Sequence, residues 1–196
     1  SLEIAEQLGW EMPDYLAISV GDGCTIAGVW KGLKDLYAIG FIDKLPRLIS
    51  GQSLGCYPIN RAIQNDEPWQ PMEENTIADS ISVGVPRNAD KALMAIRESN
   101  GIAVNVSDEE ILAAQRLLGR TCGVFGEPAG VTGAAALKKA CEEGLIPHDA
   151  TVVSVVTGNG LKDVANAIKS AGEPIHIAPD LELMVEEFKK RGVTVE

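Results

Sequence analysis

The chain has 196 residues, 45% hydrophobic and 23% charged, ordinary values for a soluble globular protein and enough for one substantial domain. Its net charge of -11 argues against a nucleic-acid or anionic-membrane surface, and its longest apolar runs are far too short to span a bilayer. Cys24, Cys56, Cys122 and Cys141 are widely spaced without a C-x-x-C pair, which argues against a disulfide framework or zinc site and for free thiols in a reducing cytoplasm.

Leu2 to Trp10 reads as a helix in progress, ended by Gly9 and Pro13. Residue 1 is Ser, so the expectation is a chain that begins inside a domain, and no basic-plus-apolar signal segment opens it. Tyr15 to Val20 is an apolar run of strand length, followed by the turn Gly21-Asp22-Gly23-Cys24-Thr25. Ile26, Val29, Trp30, Leu33, Leu36 and Tyr37 then recur at helix spacing up to Ile39. Strand, glycine turn, helix is an arrangement that aims backbone N–H groups and a positive helix end at one point, a site for an anion and above all for phosphate. The third position of a dinucleotide fingerprint is Ile26 instead of Gly, and no G-K-[ST] follows. A tight turn that binds nothing is the alternative.

Pro46 to Gln52 reads as a second, parallel strand, reached by a right-handed crossover. Cys56 to Gln64 reads as a short helix and Asn65 to Asn75 as loop. Thr76 to Asp79 is expected to open another short helix, with Thr76 as cap and Asp79 reaching back. Val83 to Asn88 is loop and Ala89 to Ser99 helix, with Ala92, Leu93 and Ile96 on one face. Gly101 to Val106 is a third strand. Ser107 and Glu110 form a capping box for a helix to about Arg120. Glu127 to Leu137 is rich in small residues and leads into a helix ending near Gly144; close approach to a sheet or to a ligand explains that composition equally well.

Thr151 to Val156 is β-branched at every position but Ser154 and reads as a fully buried parallel strand, ending in Thr157-Gly158-Asn159-Gly160. Ligands of open α/β sheets sit beyond strand C-termini, so this turn and the turn after Val20 are expected to share one crevice. Leu161 to Ala171 reads as a helix, and the tail from Pro174 to Glu196 as strand, helix, strand. His148 and His176 lack a partnering pattern and read as surface or structural residues.

Taken together, Glu3 to Trp10, Val20-Gly21-Asp22-Gly23 with Trp30-Lys31-Gly32, Thr76-Ile77-Ala78, Arg97-Glu98-Ser99, Ser107 to Glu110, Glu127-Pro128 and Thr157 to Asp163 resemble the C-terminal part of the threonine synthase family. That family lies within the tryptophan-synthase-β-like, fold type II enzymes that use pyridoxal 5′-phosphate (PLP). The resemblance covers nearly the whole chain. It implies a three-layer αβα fold with an open, mostly parallel sheet, and a single α/β cofactor-binding domain over residues 1–196. It implies PLP phosphate held by Gly21, Asp22, Gly23, Cys24 and Thr25, chiefly through backbone N–H groups. Where the family often has Asn, then Gly-Asn, this chain has Asp22, Cys24 and Thr25. The Asp22 side chain is therefore expected to point away, and Thr25 to donate its hydroxyl and cap the helix. Thr157 would hold the pyridine nitrogen with a neutral hydroxyl.

The family's Schiff-base lysine belongs to a smaller N-terminal region upstream of these motifs. Lys31 and Lys162 do not match it and read as solvated helix-face residues, so no catalytic residue and no metal ligand is assigned. The whole enzyme would be a cytoplasmic lyase turning O-phosphohomoserine and water into threonine and phosphate. Its N-terminal region would be the partner of this chain, and self-association through the uncovered surface is expected. The rivals are another fold type II enzyme, such as threonine dehydratase or cysteate synthase, and a non-catalytic module that binds a phosphorylated ligand.

Overall fold

A computed structural model describes residues 1–172, 174 and 176–192. Among the described residues four strands form one parallel sheet: β1 (Tyr15–Ser19), β2 (Arg47–Ser53), β3 (Ile102–Val106) and β4 (Val152–Ser154), in the spatial order β3-β2-β1-β4. Register runs from Tyr15 opposite Arg47 in β1–β2 and from Tyr15 opposite Val152 in β1–β4. The helices are α1 (Leu2–Gln7), α2 (Cys24–Ala38), α3 (Pro58–Asn65), α4 (Ala89–Glu98), α5 (Asp108–Cys122), α6 (Pro128–Glu142), α7 (Val164–Ala171) and α8 (Leu181–Lys190).

Strand alternation divides the core in two. Leu16 and Ile18 face a cluster with Ile26, Trp30 and Leu33 of α2, Ile59 of α3, and Leu93 and Ile96 of α4. Tyr15 and Ala17 face the other cluster, with Ile111 and Ala114 of α5 and Val131, Ala135 and Ala136 of α6. Period-two strands between two sets of amphipathic helices give three layers, αβα. The chain leaves β1 toward β2 and β3 with α2, α3 and α4 on one face, then returns with α5 and α6 on the other to place β4 beside β1. The direction of travel therefore reverses between β1 and β4, where crevices form in such sheets.

The expected elements form with four corrections. The Thr151–Val156 run is not a central buried strand. Its hydrogen-bonded core is Val152–Ser154, half-buried, because β4 lies at the sheet edge with β1 as its one described neighbour. The Thr76–Asp79 helix does not form there. A 3-10 turn spans Asp79–Ile81, capped by the backbone at Ala78, while the Thr76 hydroxyl instead donates to Asp108 Oδ1 at 2.6 Å. The Leu161–Ala171 helix divides into a 3-10 turn, Gly160–Lys162, and α7, because Asp163 caps the new start through the Asn166 N–H at 3.1 Å. In the tail, α8 forms. Pro174 and His176 to Asp180 are not strand, as the two prolines lack donors and no described strand neighbours them; the second tail strand lies outside the described residues.

The edge strand is fastened at its N-terminal end. Asp14 Oδ2 accepts from the Thr151 N–H (2.7 Å) and hydroxyl (2.8 Å), and Oδ1 accepts from Lys44. The Lys44 ammonium, then the Thr151 N–H, hold the Asp14 carboxyl well below the usual carboxylate range. No helix among the described residues is long and apolar enough to cross a membrane.

Candidate functional site

The β1–α2 turn is set from below by buried amides. The Val20 N–H donates to the Gly51 carbonyl (2.9 Å), and the Val20 carbonyl accepts from Gln52 Nε2 (3.2 Å). Gln52 Oε1 accepts from the Asn60 N–H (2.8 Å), and Asn60 Nδ2 donates to the Ser50 and Val104 carbonyls, each at 3.1 Å. Gln52 and Asn60 are wholly buried, so every one of these bonds forms away from competing water. The network fixes where the backbone leaves the sheet.

The turn then requires glycine twice. A Cβ on Gly21 would lie 2.8 Å from the Ile81 Cα. Gly23 has φ +86°, and a Cβ there would lie 2.7 Å from the Ala92 Cβ. Gly23 is the N-cap of α2, and no side chain caps the helix. The expected cap by Thr25 is absent, because the helix already starts at Cys24 and Thr25 stands inside its first turn. As a result the six backbone N–H groups from Gly21 to Ile26 make no hydrogen bond to another described residue. Six unpartnered donors at the positive end of a 15-residue helix form a strong anion cradle.

Asp22 does not spoil the cradle. Its Oδ1 accepts from the Arg87 N–H at 2.9 Å and its carbonyl from the Asn88 N–H at 3.0 Å. The carboxylate is thus tied to the loop before α4.

A cleft of about 220 Å³ opens over this turn. It is lined by all six residues singled out in the sequence, Gly21, Asp22, Gly23, Cys24, Thr25 and Thr157, at the C-terminal ends of β1 and β4. The Thr157 hydroxyl has no partner among the described residues. Its turn is held by the Glu127 N–H, which donates to the Gly158 carbonyl at 2.8 Å. The small residues of α6 let it lie close to the sheet and to a neighbouring turn. A Cβ on Gly133 would lie 2.9 Å from the Ile18 backbone carbon, and one on Gly130 would lie 2.8 Å from the Gly158 N. One glycine lets the helix approach the sheet, the other lets it approach the turn carrying Thr157.

Sequence reasoning missed Ser19, Ser80, Ile81 and Glu127, which also line the cleft. Glu127 is 5% exposed, and its carboxylate pairs with Lys162 at 3.1 Å. Lys162 Nζ also lies 3.5 Å from Ser80 Oγ. The expectation of a solvated helix-face lysine holds for Lys31, which pairs with Asp35 one turn along α2. Lys162 is exposed as well, but it sits in the 3-10 turn and its ammonium pairs with a buried carboxylate at the cleft wall. The detectable signal was a lone acid immediately before Pro128, at the start of a helix otherwise poor in polar residues.

These atoms suit a phosphate-bearing aromatic cofactor. The unpartnered N–H row fits a phosphate, the two glycines leave room for its approach, and the free Thr157 hydroxyl offers one polar contact at the other side of the cleft. The residues present fit such a group.

The comparisons with known proteins point the same way. The family model described as pyridoxal-phosphate dependent enzyme matches residues 1–158. The chain is 42% identical over 194 residues to the threonine synthase of Methanocaldococcus jannaschii, covering 97% of this chain and 47% of that protein. It is 39% identical over 188 residues to that of Mycobacterium tuberculosis, covering 96% and 50%. The chain therefore spans about half the length of the curated relatives it matches. Among solved structures, maize serine racemase aligns with TM-score 0.61 at 20% identity, covering 97% of this chain and 51% of that one. The processed threonine deaminase isoform 2 of Solanum lycopersicum aligns with TM-score 0.64 at 20% identity, covering 88% and 48%. These two show a shared fold. With a row of unpartnered N–H groups at the sheet's switch point and a matching family model over most of its length, the chain belongs to the family of pyridoxal-phosphate dependent enzymes.

Proposed function

We propose that residues 1–196 form the cofactor-binding, C-terminal domain of a threonine synthase. The whole enzyme would be a cytoplasmic lyase converting O-phosphohomoserine and water to threonine and phosphate. The observation that carries the reading is the row of six unpartnered N–H groups from Gly21 to Ile26. Identity of 42% with a threonine synthase, against 20% with a serine racemase, supports this substrate class over other reactions of the family.

In this reading the N–H row from Gly21 to Ile26 would hold the cofactor's phosphate. PLP supplies an electron sink for bond breaking next to an amino group. Thr157 would hold the pyridine nitrogen, and a neutral hydroxyl there would not force a proton onto that atom. Asp22 keeps its side chain on the Arg87 N–H. Lys162 balances the Glu127 carboxylate and keeps its amine engaged. The lysine that would carry the cofactor is assigned to the region upstream of this chain, together with most groups that grip the substrate's phosphate.

Titration of the chain with PLP, followed by absorbance and by borohydride reduction with mass analysis, tests this. Reversible binding without a reduced adduct at any single lysine is expected. A specific adduct on Lys31 or Lys162 would overturn the upstream placement of the amine. Absence of binding even after the upstream region is joined to the chain would overturn the cofactor site itself.

A further inference from the structure

A second recess, of about 650 Å³, lies between α5, α6 and the end of α7, and shares no lining residue with the cleft. Its floor is apolar, made by Ala113, Leu117 and Phe125. Its polar lining is cationic: Arg116 and Arg120 from α5 and Lys138 from α6. In a chain of net charge -11 such a cluster of three cations stands out. Arg116 donates only to the Ser170 carbonyl, at 3.4 Å, and Arg120 makes no ion pair with a described residue. Lys138 is held by Glu142 on its own helix.

A second observation marks the same recess. Ser170 lines it and is 1% exposed, yet its hydroxyl is buried without a hydrogen-bond partner among the described residues. Buried hydroxyls are normally satisfied, so an orphan at the wall of a cationic groove indicates a missing acceptor or donor. Paired arginine forks suit a doubly charged oxyanion, and the apolar floor suits a hydrocarbon body.

We propose that this groove binds a small organic phosphate monoester, with its phosphate on Arg116, Arg120 and Ser170 and its apolar body on Leu117 and Phe125. Phenyl phosphate is the probe, with inorganic phosphate as control, followed by amide NMR of the whole chain. Saturable shifts at Gly119, Phe125 and Ser170 are expected, with phenyl phosphate binding about tenfold tighter than phosphate because the ring leaves water. Arg116→Gln with Arg120→Gln should abolish these shifts, and Arg120→Gln alone should weaken them, each with the rest of the spectrum intact. If the double variant does not fold, the single variant decides. Shifts confined to residues 21–26, or groove shifts that survive loss of the arginines, or equal affinity for both probes, would overturn the proposal. Shifts at residues 21–26 report the cofactor cradle separately, so failure of one site is not failure of the other.

Discussion

Two strand-to-helix turns of this sheet end in opposite ways. At the β3–α5 turn, Ser107 Oγ accepts from the Glu110 N–H at 3.2 Å, and Glu110 Oε2 accepts from the Ser107 N–H at 2.6 Å. Asp108, Glu109 and Glu110 fill the first turn with negative charge. At the β1–α2 turn the cap is Gly23, the first turn of the helix has no acid, and six N–H groups have no partner among the described residues. The α5 terminus satisfies its own backbone and repels anions. The α2 terminus leaves its donors exposed to a cleft. A helix end kept without a side-chain cap forgoes about 1 kcal/mol of stabilisation, and an anion can restore it. The capped end still serves the site: Asp108 accepts from Thr76 and from the Ile77 N–H, and so fixes the loop that brings Ser80 and Ile81 to the cleft.

The contrast is broken most forcefully at Gly23. Gly23→Val places a branched side chain at φ +86° and against Ala92 and the Asn88 carbonyl. A loss of about 2–5 kcal/mol is expected from backbone strain and overpacking together. Urea midpoints measure it, and PLP titration should show no binding to the variant. An unchanged midpoint would mean the turn can relax elsewhere.

At α5 the opposite pattern is expected. Ser107→Ala removes the cap and should cost about 1 kcal/mol in chemical denaturation, while PLP binding to the remaining folded protein stays as it was. Equal loss of PLP affinity would show that the two helix ends are not independent.

Making α2 resemble α5 sharpens the comparison further. Thr25→Glu puts an acid in the first turn of α2, which should stabilise the helix end by roughly 0.3–1 kcal/mol. The same charge should weaken PLP phosphate binding at least about tenfold, since each tenfold is only 1.4 kcal/mol. Thermal unfolding and the PLP titration should move in opposite directions. Movement in the same direction would count against an anion cradle.

The smallest effect is on pH. Glu109 is held below its ordinary value of 4.5, first by its own backbone N–H and then by the Ser107 hydroxyl. A carboxylate whose folded pKa is depressed stabilises the fold above its unfolded pKa, and that contribution fades as pH falls through the folded value. The α5 end should therefore weaken only in acid below about pH 4.5. The α2 end, with no acid in its first turn, should not change in that range. Amide exchange at both helix starts, compared at pH 6 and pH 3.5, reads the difference.

Much of this was legible in the chain because it rests on local chemistry. Glycine at a strand-to-helix junction, the Ser107–Glu110 spacing and the 3.6-residue apolar periodicity each have short-range causes. The six residues picked from the sequence all line the same cleft, because topology places every β–α turn of a parallel sheet at one end. What was not legible depended on neighbours. The Thr151–Val156 run has the composition of a central strand, yet its position beside β1 alone leaves it half-buried. Lys162 has the pattern of a surface residue and is one, yet Glu127, 35 positions earlier, gives its ammonium a buried partner at the cleft wall. Thr76 has the identity of a cap, but Asp108 offers its hydroxyl a charged partner.

The sequence by itself marked the parallel strand and helix pattern, the strand–glycine turn–helix start and the Ser107–Glu110 cap, since backbone conformation and helix polarity follow from residues within a few positions, but it also led to the expectation of a Thr25 cap on α2 that does not form. The tertiary structure alone decided which strand is the edge, that Gln52 and Asn60 brace the turn from beneath, and that Glu127, Lys162 and Ser80 meet at the cleft. It also decided that Arg116, Arg120, Lys138 and Ser170 gather around one groove. Those groupings join side chains far apart in the chain, and only the packing of helices on both faces of the sheet brings them within reach of one another.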